Sequence, residues 1–401
     1  VGIMMLSCGT GAWRVRSSMN ELSELMNMTC TVDIGLMSIN YTCFDGEQSF
    51  SQSLCLTNTS VNTSQLNRLE KLVSGFADQE ITKSCEMIHS TLDEIEKIHG
   101  LYSPGALALA AALACGSFTF LLGGGVIEML CAFIGAGIGN YIRCKMTKHH
   151  LTLFLGIISS VSAACLSYTV LLRLLQLFFT VNVQHEAGYI CSMLFIIPGF
   201  PFITSGIDLA KLDLRSGLER LAYAIIIILA ATLTAWICAL VLHLQPVDFV
   251  KLHIPTSTKL LLRLLTSFGG VFGFSIMFNS SKKIAASAGC IGAIANTLRL
   301  TLVDLSLPAA AAAFIGALAA GLLASMIKGN TGYPRIAITV PSIVIMVPGL
   351  YMYRAIYNLE LTSTMYIGAN WLIQSLLIVL ALPMGLIFAR ILTDPSFRYC
   401  T

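Results

Sequence analysis

Residues Met193–Leu209 read MLFIIPGFPFITSGIDL, an apolar run that proline and glycine interrupt. The run begins like a membrane-spanning helix, is broken at Pro198-Gly199 and again at Pro201, and resumes with helical spacing toward Asp208. Proline removes an amide donor and clashes with the preceding turn, while glycine adds backbone freedom. In hydrocarbon the freed carbonyls need partners, so such a break persists only where protein or a water-filled cavity surrounds it. The stretch therefore predicts a discontinuous membrane helix.

The same pattern recurs 150 positions later, in Ser342–Leu359 (SIVIMVPGLYMYRAIYNL). Pro348-Gly349 repeats the first Pro-Gly pair, and Asn358 stands where the first segment has Asp208. Two interrupted segments at corresponding positions of two halves are typical of the binding site of a secondary transporter. Both prolines could instead only kink helices for packing. We expect the paired site.

Composition indicates the class of protein. Of the 401 residues, 56% are hydrophobic and 11% are charged, and the mean hydropathy is +0.78. A soluble domain carries about 25% charged residues, so the chain is predicted to be an integral membrane protein. The formal net charge of +3 is too small to favour nucleic-acid binding.

The cysteine spacing bears on metal binding, and the first residues bear on processing. No C-x-x-C or Cys/His metal spacing occurs among the 13 cysteines, so we expect no metal and no cofactor. The five cysteines before residue 100 are odd in number and are expected to be reduced thiols. The sequence after Val1 lacks the pattern of a cleaved signal peptide.

The chain divides into a polar N-terminal part and a membrane part. Residues 1–102 are predicted to form a small α/β domain. Its elements are a helix over Gly11–Met28, a strand over Thr29–Phe44 that returns antiparallel through Gln48–Leu56, and helices near Ser64–Phe76 and Gln79–His99. From Pro104 onward, ten apolar segments follow. Each is long enough, or nearly so, for about 20 helical residues across a hydrocarbon layer of about 30 Å.

A second landmark repeats in the membrane part. Asn140 and Arg143 in the second apolar segment match Asn296 and Arg299 in the seventh, at an offset of 156 residues. Both landmarks occur in the same order, so the membrane part is predicted to contain two five-helix units. Because five is odd, the second unit must enter the membrane from the opposite side, which makes an inverted repeat. The predicted units are residues 103–245 and 246–401.

The predicted fold class is therefore an all-α polytopic membrane protein. Its ten transmembrane helices form two inverted five-helix repeats, preceded by a small N-terminal α/β cytoplasmic domain. Twelve Lys and Arg residues fall on the inner side of this topology and six on the outer side, which favours cytoplasmic N- and C-termini. Sequons at Asn27, Asn40, Asn58 and Asn62 would instead suit a glycosylated ectodomain. Such triplets arise easily in Ser/Thr/Asn-rich loops, and we expect the cytoplasmic orientation.

Several short motifs follow one another along the chain. They are Ile197-Pro-Gly199, Asp208, Asp213, Ser216, Gly217 and Arg220 in the first membrane half; Val347-Pro-Gly-Leu-Tyr351 and Arg354 in the second; Gly11-Ala-Trp-Arg14-Val15 and Met19 in the opening helix; and Leu122-Gly-Gly124 in the turn after the first membrane helix. Together these motifs resemble the two membrane modules and the opening helix of the bacterial threonine/serine exporter family. Their order and spacing cover nearly the whole chain, with both modules fused. Arg16 departs from the pattern, since members often carry an acidic residue there, and Tyr351 falls where the first module has Pro201.

The resemblance implies a function that composition and spacing alone do not. It implies export of threonine and serine from the cytoplasm across the bacterial inner membrane, driven by the proton gradient. Related split systems are associated with succinate export, so a dicarboxylate substrate stays open as the alternative. The implied partners are a small amino-acid substrate, protons and the lipid bilayer, with no nucleic acid; a homo-oligomer is left open.

A zwitterionic amino acid needs partners for a carboxylate, an ammonium and a hydroxyl. The half-helices after the two Pro-Gly pairs would present free amides and positive dipole ends to the carboxylate. The candidate substrate-binding residues are Pro198, Gly199, Pro201, Thr204, Ser205, Pro348, Gly349, Tyr351 and Tyr353. Alternatively, the threonine and serine bond their own helix and the tyrosines lie at the lipid interface.

Proton coupling needs an ionisable group that faces the two sides in turn. Asp208, just beyond the first break, and Glu128, just inside the second apolar segment, are the candidate carriers, because intramembrane acids are costly and usually functional. Asp208 could instead pair with Lys211 as an ordinary salt bridge. Structural or gating roles are predicted for Asn140, Arg143, Asn296 and Arg299.

Other classes of function are disfavoured. Residues 1–102 show no catalytic constellation, and no Walker A loop occurs. We therefore expect neither an enzyme nor an ATP-driven pump. An uncoupled channel is the main competitor, since glycine-rich helices could line a pore.

Overall fold

A computed structural model of the chain describes residues 1–77, 85–98, 100–178, 188–244, 249, 254–331, 334–360 and 364–398. Within these residues, eight helices are long and apolar enough to cross a membrane. Two bent helix pairs raise the number of spans to ten if each pair crosses once. The chain is thus a mostly helical, multi-pass membrane protein, as its composition predicts.

The polar N-terminal part combines helices with one small sheet. Its elements are α1 (Gly2–Ser7), α2 (Ala12–Leu25), β1 (Thr29–Ile34), β2 (Ser38–Phe44), β3 (Ser49–Cys55), α3 (Thr63–Ala77) and α4 (Cys85–Lys97). The strands form an antiparallel sheet in the order β1-β2-β3. The helix predicted to end at His99 is described only over α4, since residues 78–84 and 99 lie outside the described ranges.

The single strand predicted over Thr29–Phe44 is wrong, because the chain reverses in its middle. The Gly35 N–H donates to the Ser38 carbonyl at 2.9 Å and closes a hairpin between β1 and β2. Apolar and polar side chains alternate on both sides of this turn, which made the two strands look continuous. The predicted return strand is confirmed as β3, after a turn in which Gly46 adopts a φ of +101°.

The membrane part consists of long helices and two broken ones. Its elements are α5 (Pro104–Leu121), α6 (Val126–Lys148), α7 (Leu153–Phe178), α8 (Tyr189–Ser192) with a 3-10 turn (Leu194–Ile196), α9 (Gly199–Ala210), α10 (Leu214–Leu242), α11 (Thr256–Met277), α12 (Lys282–Asp304), α13 (Ala309–Thr331), α14 (Arg335–Val344), α15 (Gly349–Glu360) and α16 (Met365–Thr393). A last 3-10 turn covers Pro395–Arg398. Helix α5 packs against α6 and α11, α6 against α7, and α13 against α16.

Both predicted Pro-Gly breaks are confirmed. The helix axis bends by 52° between residues 196 and 199, and by 48° between α14 and α15. In each break the glycine N–H donates to the carbonyl two residues earlier: Gly199 to Ile197 at 2.8 Å and Gly349 to Val347 at 2.9 Å. This is the hydrogen bond of an inverse γ-turn, and it satisfies one of the backbone groups that the break frees.

Pro201 does not break the chain a second time, contrary to the prediction. It lies in the first turn of α9, where an amide hydrogen would have no intrahelical acceptor. A proline is therefore compatible with a continuous helix at this position.

The N-terminal part docks on one end of the helix bundle. The Thr63 N–H donates to the Phe278 carbonyl at 3.1 Å, and the Leu36 N–H donates to the Glu219 carboxylate at 2.6 Å. The Trp13 ring lies 5.6 Å from the ring of Phe397 in the last 3-10 turn. These contacts place the N-terminal part, the α9–α10 and α11–α12 turns and the C-terminal turn at the same end of the bundle.

Candidate functional site

The two breaks meet inside the bundle. A Cβ atom added to Gly199 would overlap the side chain of Val344, one turn before the second break. A Cβ atom added to Gly349 would lie 2.5 Å from Ile197 Cδ1, in the first break. Each glycine therefore lets the other broken segment approach its backbone, so residues 150 positions apart in sequence share one location.

The space between the breaks is small and apolar. Its lining comprises Phe118, Leu194, Ile197, Gly199, Phe274, Val344, Val347 and Gly349. The cavity measures about 10 Å³, roughly the room that one water molecule requires. The structure is thus a closed form in which no amino acid fits between the breaks.

Backbone amides lie at the start of the half-helix after each break. The first N–H groups of a helix have no intrahelical acceptor, and the γ-turns take up those of the two glycines. Pro201 carries no N–H, so α9 presents the amide of Phe200, whereas α15 presents the amides of Leu350 and Tyr351. Helix α15 therefore begins with one more amide that lacks an intrahelical acceptor than α9 does.

Thr204 and Ser205 bond their own helix. The Thr204 hydroxyl donates to the Phe200 carbonyl at 3.0 Å, and the Ser205 hydroxyl donates to the Phe202 carbonyl at 3.2 Å. Both side chains are buried. In this closed form neither hydroxyl is offered to the cavity.

A buried pair of tyrosines joins the two broken segments. The hydroxyls of Tyr189 in α8 and Tyr353 in α15 are hydrogen-bonded, and both side chains are fully buried. Tyr357 stacks on Tyr353 with ring centroids 6.3 Å apart. Tyr351 instead packs against Trp371, at a centroid distance of 4.8 Å. Tyr189 is not among the predicted site residues, because nothing local links a residue nine positions before one break to a residue beyond the other.

Phenylalanine rings close the other side of the breaks. The Phe200 ring lies 5.3 Å from the ring of Phe278, which in turn stacks near Phe274. Phe278 belongs to the α11–α12 turn, at the end where the N-terminal part docks, whereas α8 begins at the opposite end. The breaks therefore lie between the hydrogen-bonded tyrosine pair on one side and these phenylalanine rings on the other.

Asp208 forms a buried ion pair near the docked end. Its Oδ2 atom lies 3.2 Å from Arg220 Nε and accepts a hydrogen bond from the Ser216 hydroxyl at 3.1 Å. Asp208 is 0% exposed and Arg220 2%. The Lys211 ammonium, the alternative partner, donates to the Phe397 carbonyl at 2.8 Å.

The N-terminal segment covers this ion pair. The Arg220 guanidinium donates to the carbonyls of Gly9 and Thr10, and a Cβ atom on Gly11 would lie 2.6 Å from Asp208 Oδ1. The carboxylate of Asp213 pairs with Arg16. Members of the family that the sequence resembles often carry an acidic residue at the position of Arg16. The opening Gly-Ala motif thus lies directly on Asp208, which the sequence pattern did not reveal.

Glu128 has a structural partner in this state. Its carboxylate accepts the N–H of Gly125 at 2.9 Å and caps the start of α6, and its side chain is 0% exposed. The acid lies at the end of the bundle opposite the docked N-terminal part. Among the described residues, no group of three or more His, Cys, Asp or Glu side chains could hold a metal ion.

Asn140 and Asn296 occupy equivalent places. The Asn140 amide donates to the Leu107 carbonyl of α5 at 2.8 Å, and the Asn296 amide donates to the Ser267 hydroxyl of α11 at 2.8 Å. Each asparagine ties one helix to the helix before it. Arg299 donates to Asn296 at 3.0 Å, and Arg143 is half-buried on α6.

Comparison with known proteins covers most of the chain. Residues 1–242 match the model of a threonine/serine exporter family, and residues 263–392 match a second family model described as "Threonine/Serine exporter, ThrE". A "Probable threonine/serine exporter" of Mycobacterium tuberculosis is 22% identical over 99% of this chain and 75% of its own length. No solved structure matches.

Two further relatives match only part of the chain. An "Uncharacterized protein" of Haemophilus influenzae is 26% identical over 38% of this chain and 56% of its own length. A "Probable succinate transporter subunit YjjP" of Escherichia coli is 29% identical over 34% of this chain and 54% of its own length.

Proposed function

The chain belongs to the threonine/serine exporter family, and on that premise we propose that it is a secondary active transporter that exports threonine and serine from the cytoplasm, coupled to the proton gradient. The observation that carries the proposal is the meeting of the two Pro-Gly breaks, enclosed by a tyrosine pair on one side and phenylalanines on the other. Paired discontinuous helices are the site architecture of secondary transporters.

The packing supports two inverted five-helix repeats, residues 103–245 and 246–401. The contact of α5 with α6 recurs as α11 with α12, that of α7 with α10 as α13 with α16, and that of α9 with α10 as α15 with α16. The bonds of Asn140 and Asn296 to the preceding helix match in the same way. In this proposal residues 1–102 form a separate cytoplasmic α/β domain.

The substrate site lies between the two breaks. The substrate carboxylate would bind the free amides at the start of α15, where Gly349 permits close approach, and the dipole of that half-helix would favour its charge. The ammonium and hydroxyl would meet the carbonyls at the breaks and the hydroxyls of Thr204, Ser205 and Tyr353. Opening the tyrosine side or the phenylalanine side in turn would give alternating access.

Asp208 is the proton carrier in this proposal. Its burial with Arg220 supports the role, because neutralising one member of a buried ion pair removes most of the attraction that holds it. Protonation of Asp208 would remove its ionic attraction to Arg220. The remaining bonds of Arg220 are those to the Gly9 and Thr10 carbonyls and to Ser216. The N-terminal segment could then leave the docked end and let the phenylalanine side open. Glu128 is the second candidate.

A dicarboxylate is the second candidate substrate, favoured by the similarity to the succinate transporter subunit of Escherichia coli. Free backbone amides at a helix start can bind the carboxylate of an amino acid or of a dicarboxylate. A transport measurement is therefore needed to distinguish the two substrate classes. Purified protein in liposomes loaded with threonine, serine or succinate should release threonine and serine along a proton gradient, with saturation and counterflow. Succinate release without amino-acid release would favour the dicarboxylate, and flux without saturation or counterflow would indicate a channel.

A further inference from the structure

Two cysteines of the N-terminal sheet face each other across neighbouring strands. Cys30 in β1 is in register with Cys43 in β2, and their Sγ atoms are 3.4 Å apart. The sequence shows no paired pattern among the N-terminal cysteines, since the two residues are 13 positions apart and a hairpin lies between them. Only the strand pairing brings the thiols together.

The register places this pair at a position suited to a disulfide. The Gly35 N–H donates to the Ser38 carbonyl, so the residue pairs that exchange ladder hydrogen bonds are 33 with 40 and 31 with 42. Cys30 and Cys43 therefore form a non-hydrogen-bonded pair, in which the Cα atoms lie about 4.5 Å apart. That spacing is within the range of about 4.4–6.8 Å found in disulfides.

The two thiols are reachable from solvent. Both cysteines are half-buried, whereas Cys8 is fully buried. Burial and the neighbouring thiol raise the pKa of Cys30 to about 12. Cys30 therefore stays protonated near neutral pH until it reacts.

We propose that Cys30 and Cys43 are a redox modification site, a cross-strand dithiol that a low-molecular-weight disulfide oxidises reversibly. One cysteine of the pair attacks the oxidant as it loses its proton, forms a mixed disulfide and releases one small thiol. The sulfur of the other cysteine then attacks the protein sulfur of this mixed disulfide as it loses its own proton, and the second small thiol leaves. Two protein thiols and one small disulfide thus become one protein disulfide and two small thiols.

The site lies in the hairpin that contacts the membrane part. At the other end of β1, Asp33 pairs with Arg215, and Leu36 in the turn bonds Glu219. A covalent link between the strands would stiffen the element that holds this contact. The proposal does not depend on the transported substrate.

The experiment maps the linkage in the full-length protein. The reduced protein in detergent is titrated with oxidised glutathione, its remaining thiols are alkylated in acid, and it is cleaved before aspartate. Cleavage at Asp33 and Asp45 leaves Cys30, Cys43 and Cys55 on three different peptides. We expect a peptide pair linked through Cys30 and Cys43 that accumulates with oxidant and disappears with dithiothreitol.

Variants separate the pair from other thiols. Cys30→Thr, which suits a strand flanked by Thr29 and Thr31, should abolish the link and leave glutathione on Cys43. Cys55→Ser should leave the link unchanged, because Cys55 pairs with Ser38 in the sheet. Glutathione on Cys43 of the wild-type protein without a link to Cys30, or a predominant link to Cys55, would overturn the proposal.

Discussion

Among single residues, Asp208 carries a carboxylate that is fully buried in the protein. It shares its site with Arg220, Ser216 and the backbone of Gly11. Burying both charges is expensive, and this expense is repaid only with good geometry and further hydrogen bonds. Arg220 has such bonds to two carbonyls of the N-terminal segment, so the pair also fixes that segment.

Asp208→Asn is expected to uncouple transport. Asparagine keeps the shape of the side chain but cannot ionise, so gradient-driven export should fall to background while downhill counterflow survives. Loss of one partner of a buried pair can cost about 3–5 kcal/mol, so the amount of folded protein is measured alongside. Asp304→Asn is the matched control, since Asp304 pairs with Arg263 but its side chain is 45% exposed. Full gradient-driven export by Asp208→Asn would transfer the coupling role to Glu128.

Gly11→Ala tests the docking of the N-terminal segment. The new Cβ atom would lie 2.6 Å from Asp208 Oδ1, so the loop must shift at a cost of about 1–3 kcal/mol. We expect a lower midpoint of thermal unfolding and altered export. Gly105→Ala serves as the control, because nothing lies within 4 Å of its added Cβ atom. Equal unfolding midpoints for the two variants would show that the segment is not held against Asp208.

Among the elements, the two broken helices are coupled through their glycines. Each glycine receives an aliphatic side chain of the other broken segment, so the two breaks pack directly against each other. The tyrosine pair adds one hydrogen bond between α8 and α15. These contacts join the two broken segments at the proposed substrate site.

Gly199→Ala and Val344→Ala together test this interlocking. Alanine at Gly199 would overlap Val344 Cγ2, and overpacking of this kind costs about 1–3 kcal/mol. We expect reduced threonine efflux in Gly199→Ala and recovery in the double variant, because Val344→Ala removes the overlapping methyl groups. Gly156→Ala, with nothing within 4 Å, should behave as the wild type. If Val344→Ala brings no recovery, the two breaks do not meet as described.

For the whole molecule, the orientation in the membrane depends on which side the docked end faces. Residues of the N-terminal part, two helix turns and the C-terminal turn share one end. Helix α12 leads away from that end for 23 residues, about 35 Å of helix. Ser306, just beyond it, is exposed and must lie near the opposite end.

Thiol labelling of intact cells tests this orientation. If the docked end is cytoplasmic, an impermeant maleimide should label Ser306→Cys directly and the exposed Cys55 only after permeabilisation. Peptide mapping identifies the labelled thiol, and permeabilised cells provide the control in which both react. Labelling of Cys55 in intact cells would place the N-terminal part outside the cell. The four sequons would then lie where glycosylation can occur.

Features that depend on local chemistry could be predicted from the amino-acid sequence. Apolar length predicted the spans, and proline and glycine predicted both helix breaks, because each effect acts within a few residues. The split of one predicted strand into β1 and β2 was missed, since alternation of side chains continues through a tight turn. Pro201 was misread because the cost of a proline depends on its position relative to the helix start, which the sequence does not mark.

The contacts between groups distant in the chain became known from the folded structure. Arg220 pairs with Asp208, Gly11 covers that pair, and Tyr189 bonds Tyr353 across the two broken segments. The two cysteines of the hairpin became neighbours in the same way. Such pairings depend on how helices and strands pack against each other, and packing is set by side chains far apart in the chain, which no local pattern records.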